Sequence, residues 1–177
     1  MCIRDRCNIA VLGTKSTIES GVYQRLISES LSKVKYYNIR VQGIICTGIE
    51  KAVARGENNS QDVALITRYE LQNYRGQFDY VVHACTCFPF AEKEINSILS
   101  DEEKKIVQIN SSKYVAKNVH EILKKIQSFV KTHSKHKKPL LFATGGLEWT
   151  NYVEKTRKLV FSRPFPVRQI EIRKQNK

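Results

Sequence analysis

Short apolar runs alternate with longer stretches of helical period along this chain. Asn8-Ile9-Ala10-Val11-Leu12 is an apolar run closed by Gly13-Thr14, and Thr17 to Lys33 then repeats apolar residues at Ile18, Val22, Leu26, Ile27 and Leu31. This predicts strand, turn and amphipathic helix. Thr17, with Glu19 in the first turn and Ser20 nearby, is the expected helix start, because a threonine oxygen accepts an orphan backbone N–H. Arg40 to Ile45 predicts a second strand, and Ile49 to Arg55 a short helix stopped by Gly56. Gly56 to Ser60 is a loop by composition.

Gln61 to Tyr74 predicts a helix ended by Gly76, followed by a strand over Phe78 to Ala84 and a helix from Phe90 to Leu99. A strand over Ile106 to Ile109 and a long helix from Ser112 to Thr132 come next. His133 to Lys138 is a basic linker, after which Pro139 to Thr144 predicts a strand, Glu148 to Leu159 a helix and Val167 to Ile172 a last strand. On the helix, Trp149, Tyr152 and Val153 form one apolar face with no chemistry assigned. Strands that alternate with helices throughout predict an α/β fold, a parallel sheet with helices on both faces.

Composition narrows the classes. The 177 residues are 41% apolar, enough for one full domain or one plus part of another. The longest apolar runs, Val41 to Ile45 and Tyr80 to Ala84, fall far short of the ~18 residues of a membrane span. Five cysteines, an odd number at irregular spacing, argue for a reducing, cytoplasmic protein rather than a disulfide scaffold. The formal charge of +13 attracts anions in general. Much of it falls on Lys113, Lys117, Lys124, Lys125, Lys131, Lys135, Lys137 and Lys138, which read first as a solvated face. Nucleic-acid binding is disfavoured, since no module motif or aromatic interleaving accompanies these lysines.

The candidate chemistry sits at Cys85-Thr86-Cys87-Phe88-Pro89-Phe90, directly after the apolar run Tyr80 to Ala84. Strand ends of this kind are where open α/β sheets bind ligands. A cysteine there is either a core filler or, where its pocket lowers the thiol pKa, a nucleophile or carbon-acid base. Residues i and i+2 of a strand share a face about 6.6 Å apart, so Cys85 and Cys87 are expected to approach a ligand from one side. His83, Cys85 and Cys87 alternate, yet three ligands from one extended strand lie too far apart for tetrahedral zinc, and no metal is assigned. Cys46 reads as a core position. Thr14 and Thr17 are either turn and cap or part of a site.

Two stretches resemble the second half of glutamate racemases, of the aspartate/glutamate racemase superfamily. Ile9 to Tyr23 is similar to that family's strand, Gly-Thr turn and Thr-Ile-x-Ser-x-x-Tyr helix start. Ala84 to Phe90 is similar to its Gly-Cys-Thr-His-Tyr-Pro segment, which carries one of two catalytic cysteines. Val107 to Ser111, Phe142 to Gly145 and Val167 to Ile172 follow in the family's order. Against the family pattern, Cys87 stands for a histidine, Thr47 for a proline, Ala54 for a glutamate and Asn110 for an aspartate.

The resemblance implies a flavodoxin-like or Rossmann-like three-layer lobe over residues 8–110 and a return segment over 111–177 that belongs to a truncated first lobe. Residues 1–7, unlike the rest, are set aside as adapter-derived or a disordered tail. It also implies cofactor-independent interconversion of L- and D-glutamate for peptidoglycan, with Cys85 catalytic and Thr86, Cys87, Thr14 and Thr17 binding substrate. Such a reaction needs a base on one face of Cα and an acid on the other, and a tuned thiol serves as either. The partner cysteine belongs to the absent lobe, so the chain alone is expected not to racemise. Glutamate is the implied partner, a homodimer is admitted, and no metal, pyridoxal phosphate or nucleotide is called for. Pro89 favours the glutamate over the aspartate type. The rival reading is a non-catalytic half-protein whose basic helix engages an anionic partner.

Overall fold

A computed structural model describes residues 6–34, 38–54, 61–127, 141–144 and 167–170. The expected loop at 56–60, the linker at 133–138 and the helix at 148–159 with Trp149, Tyr152 and Val153 lie outside these residues. So does the stretch before Arg6.

The chain runs β1 (Cys7–Gly13), α1 (Lys15–Glu19), α2 (Val22–Lys33), β2 (Ile39–Ile45), α3 (Thr47–Ala54) and α4 (Gln61–Leu71). It continues with β3 (Tyr80–His83), α5 (Glu92–Leu99), β4 (Val107–Asn110), α6 (Ser111–Gln127), β5 (Leu141–Thr144) and β6 (Val167–Ile170). Short 3₁₀ turns at Gln72–Tyr74 and Phe88–Ala91 follow α4 and precede α5. The first four strands form one parallel sheet in the order β2-β1-β3-β4, while β5 and β6 form a separate parallel pair.

Alternation along the apolar strands feeds two cores. Ala10 and Leu12 of β1 join Val81 of β3 and residues of α3, α4 and α5 on one face, among them Ile49, Val63 and Ile95. Ile9, Val11 and Val82 face the other way, against Ile18 of α1 and Tyr23, Ile27 and Leu31 of α2. Covering helices on both faces explain why β1 is apolar nearly throughout rather than at every second position.

Two expectations change in detail. The helix expected from Thr17 to Lys33 is two helices, broken where Gly21 adopts φ +65°, a left-handed conformation that glycine reaches without a Cβ clash. The strand expected to reach Ala84 ends at His83. Along α6, Val115, Val119, Ile122, Leu123 and Ile126 form an apolar stripe, yet each is at least 47% exposed. Periodicity predicts such a helix without saying what covers it.

Candidate active site at the switch point

β1 lies at the centre of the reversal: the chain passes from it to β2 on one side and returns through α3 and α4 to β3 on the other. A crevice opens at such a point beyond the carboxyl ends of the strands. Leu12 is registered with His83, and Gly13 with Ile45. Beyond the ladder, the Ala84 N–H donates to the Leu12 carbonyl and the Cys46 N–H to the Gly13 carbonyl, both at 2.9 Å. The segments beginning at Thr14, Cys46 and Cys85 therefore leave the sheet side by side.

Thr14, not Thr17, occupies the N-cap of the first helix, with extended backbone and no capping bond from its side chain. Its Oγ1 lies 3.0 Å from Thr17 Oγ1 and 3.4 Å from Ser16 Oγ. The helix begins at Lys15, directly after the extended Thr14. Thr17 then falls inside the first turn, where its hydroxyl pairs with Thr14 instead of a backbone amide.

Cys85 and Cys87 are not on a strand. The chain turns after His83, with the Phe88 N–H directed to the Cys85 carbonyl at 3.4 Å and the Phe90 N–H to the Cys87 carbonyl at 3.1 Å. The extended spacing expected between the two thiols therefore does not apply. Cys85 is half-buried, Thr86 is exposed, and Cys87 is 4% exposed beside the fully buried Phe88. The Cys87 thiol donates a hydrogen bond to the Cys85 sulfur, which draws the Cys85 pKa down to about 6. Burial and the Glu50 carboxylate work against this, while the Cys87 and Thr86 backbone N–H groups reinforce it. Hydrogen bonds to the charged form thus outweigh desolvation, and Cys85 is a thiolate at neutral pH.

Cys46 behaves oppositely. It is fully buried, its thiol directed at the Ile44 carbonyl at 3.8 Å, and burial pushes its pKa up, helped by the nearby Glu70 carboxylate. The core reading of Cys46 holds.

Supporting residues carry no periodic signal in the sequence. Glu70 of α4 accepts the Gly48 N–H at 2.8 Å and the Ile49 N–H at 3.1 Å, two of the amides left unpaired at the start of α3. A Cβ at position 48 would lie 2.9 Å from Glu70 Oε1 and 2.8 Å from an Ile66 methyl, so glycine gives the carboxylate its approach. Ser111 donates to the His83 carbonyl at 2.7 Å, and Asn110 Oδ1 accepts the Ser112 N–H at 3.0 Å. A polar residue just past a strand end was the available clue for Ser111.

His83 is fully buried. Gln108 donates its amide to the Glu92 carbonyl at 2.8 Å, which turns its oxygen toward His83 Nε2, also at 2.8 Å. His83 Nε2 therefore carries the proton, and Nδ1 is buried without a hydrogen-bond partner. Among the described residues no group of three His, Cys, Asp or Glu side chains could hold a metal ion, and no helix is long and apolar enough to cross a membrane.

A parallel α/β lobe with an acidic thiol at its switch point is the class that fold and site define. No family model matches the chain. It resembles glutamate racemases along most of its length. The glutamate racemase of Aquifex pyrophilus is 24% identical over 163 residues, covering 92% of this chain and 56% of that protein. The glutamate racemase of Oceanobacillus iheyensis is 26% identical over 156 residues, covering 84% and 52%. A crystal structure of glutamate racemase from Francisella tularensis in complex with D-glutamate matches the fold with a TM-score of 0.69 at 18% identity, covering 94% of this chain and 57% of that one. The chain thus spans about half the length of the curated relatives it matches.

Proposed function

We propose that this chain is the second part of a cofactor-independent glutamate racemase, with residues 8–110 as its second lobe and residues 111–177 as a return segment of the first. The acidic Cys85 thiol at the switch point is the observation that carries this reading. In it, the Cys85 thiolate removes the α-proton of glutamate from one face, and a thiol supplied by the other lobe delivers a proton to the opposite face. In the reverse direction Cys85 is the acid. Thr14, Thr17 and Thr86 supply hydroxyl and N–H donors for the substrate carboxylate, and Cys87 holds Cys85 as thiolate. Donors aimed at a carboxylate also stabilise the negative charge that develops as the proton leaves. The D-glutamate produced would serve peptidoglycan synthesis in the cytoplasm.

Solvent-deuterium exchange at the α-carbon of each glutamate enantiomer tests the assignment. Exchange into one enantiomer without inversion is expected, falling about 10²- to 10⁴-fold in Cys85→Ala, the range for loss of a positioned base. Equal exchange in wild type and Cys85→Ala would remove Cys85 from the role. Measurable racemisation by the chain alone would overturn the need for a second lobe.

A further inference from the structure

Cys87 is the more buried of the two cysteines. The turn that carries both is closed by the Phe88 N–H on the Cys85 carbonyl, and Cys87 has helical backbone angles, φ −79° and ψ −33°. Residues two apart in such a turn hold their Cα atoms within about 7 Å, inside the span of a disulfide. Neither cysteine is in a disulfide. The outer one is half-exposed, while the inner one is 4% exposed and directed at its neighbour's sulfur. This is the layout of an attacking thiol open to solvent with a resolving thiol behind it.

We propose that Cys85 and Cys87 form a peroxide-responsive dithiol, in which Cys85 is oxidised first and Cys87 closes the disulfide. The Cys85 thiolate attacks one oxygen of a hydroperoxide; an S–O bond forms, the O–O bond breaks, and the leaving oxyanion takes a proton. Cys85 is now a sulfenic acid. The Cys87 sulfur then attacks Cys85, the S–S bond forms, the S–O bond breaks, and the departing hydroxide leaves as water with the Cys87 proton. Two thiols and one hydroperoxide give one disulfide, one water and one water or alcohol.

Selectivity follows from the surroundings. The Cys85 thiol is drawn down to about 6, whereas burial and a neighbouring carboxylate raise both Cys7 and Cys46, beside Asp79 and Glu70 respectively. Of Cys7, Cys46 and Cys85, only Cys85 is therefore largely thiolate at neutral pH. The reaction belongs to the pair and does not require that the chain turn over glutamate, so its failure and that of the racemase reading are separable.

Mass spectrometry of the full chain after stoichiometric hydrogen peroxide tests the proposal. The expected result is loss of two hydrogens per chain, restored by dithiothreitol, with peptide mapping that joins Cys85 to Cys87. In Cys87→Ser the expected product is a Cys85 sulfenic acid trapped by dimedone. Peptide mapping of the wild type decides the matter even if that variant fails to fold. Oxygen added to Cys85 without disulfide closure in the wild type, or a disulfide that maps to Cys7 or Cys46, would overturn it.

Discussion

Leu12 of β1 and His83 of β3 are registered partners, so Thr14 and Cys85, each two residues further on, emerge together from the carboxyl edge of the sheet. That relationship makes the candidate site a property of two strands rather than of one motif.

Alkylation of Cys85 by iodoacetamide is expected to titrate with a midpoint near the value of about 6 set by its hydrogen bonds. Cys87→Ala removes the first of these donors, so the midpoint should rise toward the ordinary thiol value. Cys46, buried and raised, should stay unmodified in the folded protein at neutral pH. An unshifted midpoint in Cys87→Ala would show that the backbone donors alone hold the thiolate.

Burial holds His83 below its ordinary value of 6.5 despite the Gln108 hydrogen bond and the Glu92 carboxylate, which favour the charged form. Below the unfolded pKa the unfolded chain therefore binds more protons than the folded one. Stability falls as pH drops through that region. Urea unfolding is expected to show a lower midpoint at about pH 5.5 than at about pH 7.5. His83→Gln should flatten that difference. Asp79 is held below 3.8: burial pushes it up, but the Asn8 N–H and Lys104 outweigh this, so its own contribution fades only at lower pH.

Glu70→Ala leaves the Gly48 and Ile49 amides at the start of α3 without their carboxylate. A loss of about 1–3 kcal/mol in urea unfolding is expected. Glu70→Gln, which keeps one acceptor oxygen, should lose less and should also lower the Cys46 pKa, though burial, the larger cause, keeps it raised.

Gly21→Ala isolates a backbone effect, because a Cβ there meets nothing within 4 Å while φ is +65°. A destabilisation of about 1–2 kcal/mol is expected from the left-handed conformation alone. Chemical denaturation measures it, and an unchanged midpoint would mean that the junction between α1 and α2 readjusts freely.

Local pattern made much of the lobe legible. The apolar runs at residues 8–12, 40–45 and 106–109 correspond to β1, β2 and β4, and the alternation of runs with helical periods correctly predicts a parallel sheet. The break at Gly21 is not legible in the pattern, because a single glycine is tolerated inside a helical period. The turn at Cys85 is hidden in the sequence because the apolar run continues through Ala84. Pro89, in the turn at Phe88–Ala91, marks where extended structure has already ended.

The order of elements and the Cys-Thr pair after β3 were determined by sequence alone, because each depends on neighbours a few residues apart. The strand order β2-β1-β3-β4, the Thr14 cap, the Glu70 support of α3 and the acidity of Cys85 were decided only by the tertiary structure. Register joins residues some seventy positions apart, as Leu12 to His83 shows, and a thiol's pKa follows from the donors, carboxylates and burial that surround it in space. None of these is encoded in a local period.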